Sequence, residues 1–243
     1  MEFNVTLAFS LYVIGFLYAS VGHGGASGYI AILSLYSIPV ATYKPLILIL
    51  NILVAGVGFY QFYRAGYFKW KLCRTFFITS IPAAFLGSKY SIEGNIYHLL
   101  LGLALILPII KLLNIKTSTD KGTKPVKIIP ALFIGILIGG FSGMLNIGGG
   151  IFLSPVLILL RWANVKEAAA ASALFIVLNS ISGLIGSAAT LVVSPLAATW
   201  FIMAALGGIT GAYWGSKRFQ HVTVRYLLSA VLAIASVKLL LFM

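Results

Sequence analysis

The chain has 243 residues, of which 60% are hydrophobic and 9% charged, with a mean hydropathy of +1.05. Soluble domains carry about 25% charged residues, so this composition excludes a soluble domain and reads as an all-α polytopic membrane protein. Seventeen Lys and Arg against four acids leave +13 at pH 7; in such a chain that excess belongs to loops facing the cytoplasm, not to a nucleic-acid surface.

Residues 5–21 read as a first helix. They lack a basic n-region and a small-residue cleavage site, so the expectation is a retained helix and not a signal peptide. The helix stops at Gly22-His23-Gly24-Gly25-Ala26-Ser27-Gly28. Residues 27–38 form a short second helix, ended by Pro39. At about 1.5 Å per residue it reaches about 18 Å, short of the roughly 30 Å hydrocarbon core. It is either half of a re-entrant hairpin or a short buried span. Spans follow at 45–63, opened by Pro45, at 73–90, kinked at Pro82, and at 96–113. The polar, lysine-rich stretch 115–127 reads as a linker between a first unit, 1–114, and a second, 128–243.

The second unit repeats the plan. Residues 128–146 run to Gly148-Gly149-Gly150. A short element at 151–161 carries Pro155, and spans follow at 168–190, 197–216 and 223–241. Trp70, Trp162 and Trp200 fall at span ends and read as interfacial anchors. Cys73 is the single cysteine, which excludes an intramolecular disulfide and a multi-cysteine metal site.

The repeat can be checked by position. Gly87-Ser88-Lys89 recurs 128 positions later as Gly215-Ser216-Lys217. At the same spacing Asn51 matches Asn179, Gly58 matches Gly186, and Leu99-Leu100 matches Leu227-Leu228. Gly24-Gly25 matches Gly149-Gly150 at a slightly shorter spacing. Each half crosses the bilayer an odd number of times, so the second half is inverted. Charge agrees. With Arg64, Lys69, Lys71 and Arg74 inside, only Lys44, Lys89 and Lys238 of the 17 cations fall outside, a strong positive-inside bias. Both termini then lie outside the cytoplasm, as does the uncharged loop 191–196 around Pro195. The expected fold is two inverted repeats of five helical elements each, with broken or re-entrant helices meeting near the midplane.

Non-helical backbone at membrane depth must be surrounded by protein or water. The two glycine breaks are therefore expected to face each other across a cavity. The amides of Gly24, Gly25 and Ala26, and of Gly148, Gly149 and Gly150, would point into it, because a helix N-terminus with bare amides attracts anions. The scattered glycines Gly135, Gly139, Gly183, Gly207 and Gly211 read instead as close helix packing. His23, inside the first break, is a proton-coupling group, a neutral donor to substrate, or a cap on broken backbone. Lys44 either points into the cavity to neutralise an anion or snorkels to water. Asn51, Asn179, Ser172, Ser142, Asn146 and Ser20 offer hydrogen bonds to an oxyanion, or tie helix to helix. Of these, the matched pair Asn51 and Asn179 is preferred. Glu167 reads as the acidic first turn of its helix.

Enzyme signatures are absent. The four acids are dispersed, His23, His98 and His221 have no metal spacing, and no phosphate-binding loop with a following lysine appears. No cofactor and no metal are expected, and ATP is not the driver.

The stretch from Gly143 through Gly148-Gly149-Gly150-Ile151-Phe152-Leu153-Ser154-Pro155, with Lys166-Glu167-Ala168 and Ser172-Ala173-Leu174 after it, resembles the sulfite exporter TauE/SafE family of bacterial transporters. Gly22 to Gly25 and Pro39 look like that family's first repeat. Two positions depart: Ala171 stands where Thr is usual, and His23 interrupts the first glycine run. The resemblance implies ATP-independent movement of sulfite, a sulfonate or a related small anion across the bacterial inner membrane. The residues alone argue only for a small anion and a lipid bilayer as partners, with no signal for oligomeric state. A channel with the same cavity and no coupling is the competing reading.

Overall fold

The computed structural model describes residues 5–36, 38, 40–90, 106, 109–110, 113, 122–145, 147–187 and 195–241. Among them the regular structure is helical: α1 Val5–Ser20, α2 Ala26–Leu35, α3 Val40–Arg64, α4 Trp70–Ser88, α5 Ile128–Leu145, α6 Gly150–Leu159, α7 Val165–Ser187, α8 Pro195–Tyr213 and α9 His221–Leu241. The span expected at 96–113 and most of the linker 115–127 lie outside the described residues.

Three helices are long and apolar enough to cross a membrane by length and composition: Pro45–Arg64 within α3, Ile128–Leu145 and Val165–Ser187. Their outer surfaces are greasy. On α5, Ile128, Ile129, Phe133, Ile136 and Phe141 are all exposed, Ile129 at 81%. In water such a patch would drive association; against lipid it is the surface a spanning helix needs.

The two short elements α2 and α6 have ten residues each, about 15 Å of helix. Three boundaries differ from expectation. α3 begins at Val40, so Pro45 sits inside the helix and not at its start; extending the helix satisfies backbone groups that lipid cannot. α7 begins at Val165 because Asn164 and Glu167 form a reciprocal cap. The Asn164 N–H donates to Glu167 Oε2 at 3.0 Å, and the Glu167 N–H donates to Asn164 Oδ1 at 2.9 Å, the arrangement of a capping box. Pro195, expected in a loop, is the first residue of α8, where its missing N–H costs nothing.

α3 and α7 pack against each other at the centre, α1 packs on α8, and α4 packs on α5. Glycine makes the last two contacts possible. A Cβ on Gly207, Gly211 or Gly215 would strike the α1 carbonyls of Tyr12, Phe16 and Ser20. A Cβ on Gly139 or Gly143 would strike the α4 carbonyls of Ser80 and Ala84, and one on Gly135 would strike the Thr79 hydroxyl. Backbones this close gain dispersion contacts that larger residues forbid. α8 ends in a π-helical turn, Trp214–Arg218.

The cationic loops gather at one end. Lys69 pairs with Glu167 at 2.5 Å. Lys166 donates to the Ser216 carbonyl at 3.2 Å and lies 5.0 Å over the Tyr67 ring. Tyr67 meets His221 edge-on, and the Lys124 N–H donates to the Arg161 carbonyl at 2.7 Å. Trp70 is 58% exposed, as an interfacial anchor requires, whereas Trp162 and Trp200 are buried. Trp162 packs on Phe76 and Trp200 on Tyr43, so these two belong to the core instead.

Candidate functional site

Each break is made by glycines in conformations that other residues avoid. Gly22 and Gly25 have φ of 78° and 95°, and Gly148 and Gly149 have φ of 76° and 72°. A left-handed residue reverses the chain's twist and ends the helix before it. Two in succession let α6 restart at Gly150.

The structure brings the two breaks into contact. Asn51, on α3, holds both. Its Oδ1 accepts the Ala26 N–H at 3.2 Å, capping α2, and its Nδ2 donates to Ser180 Oγ at 3.0 Å and to the Ile147 carbonyl at 3.4 Å. His23 reaches from the first break to the helix after the second: its Nε2 lies 3.1 Å from Ser154 Oγ, which donates to Ser172 Oγ at 2.7 Å. With the Ser154 proton committed to Ser172, His23 donates from Nε2 and its Nδ1 is a bare acceptor. That Nδ1 has no partner among the described residues. Asn179, on α7, donates from Nδ2 to the Phe175 carbonyl at 2.8 Å and to Ser80 Oγ at 3.3 Å. His23, Asn51, Ser172 and Asn179 are all 2% exposed or less.

The expected cavity between the breaks is filled. A Cβ on Gly24 would run into the Asn51 amide, and one on Gly148 would lie 2.6 Å from Asn51 Nδ2 and 2.7 Å from Ser180 Oγ. Gly150 abuts Ile176. Bare glycine backbone allows this approach. A cavity of about 20 Å³ lies to one side, lined by Leu11, Tyr29, Leu33, Tyr43, Ile47 and Trp200 among others. Its lining is apolar and includes none of the expected site residues.

Ser20 donates to the Leu17 carbonyl at 2.7 Å and stays within its own helix. The Lys44 side chain and Asn146 lie outside the described residues. Ser80, Ser154 and Ser180 were not singled out from sequence, yet they are the partners of Asn179, His23 and Asn51. Ser154 stands next to Pro155 in the glycine motif, which was its one local signal. No His, Cys, Asp or Glu cluster that could hold a metal occurs among the described residues.

The family model for the sulfite exporter TauE/SafE family matches residues 7–239. A probable membrane transporter protein, y4hK of Sinorhizobium fredii, is 35% identical over 97% of this chain and 98% of its own length. Another, YdhB of Bacillus subtilis, is 25% identical over 85% of this chain and 86% of its own. No solved structure matches the chain.

Proposed function

The chain belongs to the sulfite exporter TauE/SafE family of membrane transporters, and we propose that it is a secondary transporter of a small sulfur-containing anion such as sulfite or a sulfonate. The observation that carries this reading is the direct meeting of two glycine breaks through Asn51. Discontinuous helices whose N-termini meet at depth are the usual way a transporter holds an anion without a buried cation. Among the expected binding residues, Gly24, Gly25, Ala26, Gly148, Gly149, Gly150, Asn51 and Ser172 adjoin this junction, and Asn179 bonds Ser80 and the Phe175 carbonyl beside it.

The two halves are inverted repeats in this reading. Its support is an exchange of partners: the first helix of one unit packs on the fourth of the other in both directions, α1 on α8 and α4 on α5. The clustering of Lys69, Lys124, Lys166 and Glu167 at one end supports a single cytoplasmic face, with both termini on the opposite side of the inner membrane.

Transport requires the filled junction to part. The bonds from Asn51 to Ile147 and from His23 to Ser154 join the breaks, so they exchange for bonds to the anion when it enters. His23 is the coupling group, because a buried imidazole with one free nitrogen can take a proton as the anion arrives.

The test is uptake into proteoliposomes of sulfite, thiosulfate, sulfate, chloride and a small sulfonate, with and without a pH gradient. Saturable uptake of a sulfur oxyanion or sulfonate, raised by the gradient, is expected. For His23→Gln the gradient effect should vanish; unchanged pH dependence would remove His23 from coupling.

A further inference from the structure

The two breaks differ in how their restarting helices are finished. At α2 the first amide, Ala26, is capped by Asn51 Oδ1. α6 opens on Gly149 with no side-chain cap. The Phe152 N–H turns back to the Gly149 carbonyl at 3.1 Å, which leaves the amides of Gly150 and Ile151 as first-turn donors with no intrahelical acceptor.

Ser142 adjoins this end, and Asn179 lies one helical turn beyond Phe175 on α7. Ser142 Cβ lies 2.9 Å from the point a Cβ on Gly149 would occupy, and the Phe175 ring lies 3.1 Å from that point. Asn179 hangs from the Phe175 carbonyl. Ser142 is 2% exposed and Asn179 1%. Ser142 Oγ and Asn179 Oδ1 both lack a hydrogen-bond partner among the described residues. Such atoms are rare in folded proteins unless a ligand completes them.

We propose that the anion is held at the second break, by the N-terminus of α6 with Ser142 and Asn179, and that it carries a hydrogen-bond donor of its own. This deepens the transport reading and rests on it. The amides of Gly150 and Ile151 and the Ser142 hydroxyl donate to the anionic oxygens. Asn179 Oδ1 only accepts, because its Nδ2 is fixed by Phe175 and Ser80. A fully deprotonated oxyanion would set lone pair against lone pair there. A singly protonated oxyanion, or a sulfonate bearing a nearby hydroxyl or ammonium, supplies the missing proton.

The test is binding of 2-hydroxyethanesulfonate and 1-propanesulfonate to the purified full chain, by calorimetry, beside proteoliposome uptake of sulfite. The two sulfonates share a head group and size and differ by a hydroxyl. The intact protein should prefer the hydroxylated ligand at least tenfold, since a site built to bond a hydroxyl discriminates strongly against its absence. Asn179→Leu should level the two. Ser142→Ala, a smaller change that tests the same seat if Asn179→Leu fails to fold, should weaken both while keeping the preference. Equal binding of the two by the intact protein overturns the inference, as does unchanged binding by Ser142→Ala. If neither sulfonate binds, sulfite uptake that rises with pH as the dianion forms overturns it and leaves transport standing, and uptake that follows the singly protonated form upholds it. Uptake of no anion at all overturns both.

Discussion

The first and second breaks use the same backbone device and finish it differently. At the first, Asn51 caps Ala26 and His23 bonds outward to Ser154 through Nε2, while its Nδ1 is unpaired among the described residues. At the second, three glycines lead into a helix with no side-chain cap, beside Ser142 and Asn179 with atoms unpaired among the described residues. Matching sequence positions therefore do not imply matching chemistry. The restarting helix is capped by a side chain at one break and uncapped at the other.

The largest test of this contrast is leucine at each break. Gly149→Leu should abolish anion uptake in a protein that still inserts. The position needs φ of 72°, which costs a side-chain-bearing residue about 1–2 kcal/mol, and its neighbours Ser142 and Phe175 are packed. Gly25→Leu should abolish uptake too, since its φ of 95° carries the same backbone cost and the buried Tyr29 ring lies 2.7 Å from the added Cβ. Normal uptake by either inserted variant would sink the assignment of that break to transport.

Next come the asparagines. Asn51→Leu removes three hydrogen bonds and strands the Ala26 amide, and should cost about 2 kcal/mol. Asn179→Leu should cost about 1 kcal/mol, since it also removes an atom that was already unpaired. Thermal unfolding in detergent measures both; the reverse order would break the distinction between a capped and an uncapped break.

Two smaller effects lie away from the breaks and bound the comparison. His221 stands just ahead of the last span, and its imidazole is held below the ordinary 6.5, first by burial and then by Lys166, with Glu167 opposing. The unfolded chain therefore takes up a proton more readily there. His221 should cost stability as pH falls below about 6.5, and His221→Gln should flatten that part of the stability profile without changing uptake. Lys69→Ala should change the unfolding temperature least of all. Lys69 is 54% exposed in its pair with Glu167, and such pairs contribute about 0–1 kcal/mol. A large loss would mean that the gathered cationic end matters more to stability than either break.

The spans and the glycine breaks were legible locally. Apolar runs, prolines and left-handed glycines act within a few residues of themselves, so a single sequence displays them. Close-packing glycines were also legible: Gly135, Gly139, Gly207 and Gly211 sit against neighbouring helices. Trp162 and Trp200 misled because a tryptophan at a span end reads alike whether it faces headgroups or core. The starts of α3 and α7 shifted because helix continuation and a capping box outweigh the first obvious apolar residue.

Sequence by itself determined the membrane class and the two broken helices, because hydropathy and glycine content are properties of short stretches. Only tertiary structure decided that Asn51 spans both breaks, that His23 meets Ser154 across 131 positions, and that α2 is capped while α6 is not. Those outcomes depend on which side chains are brought within about 3 Å by helix packing. No local pattern encodes a distance between residues so far apart in the chain.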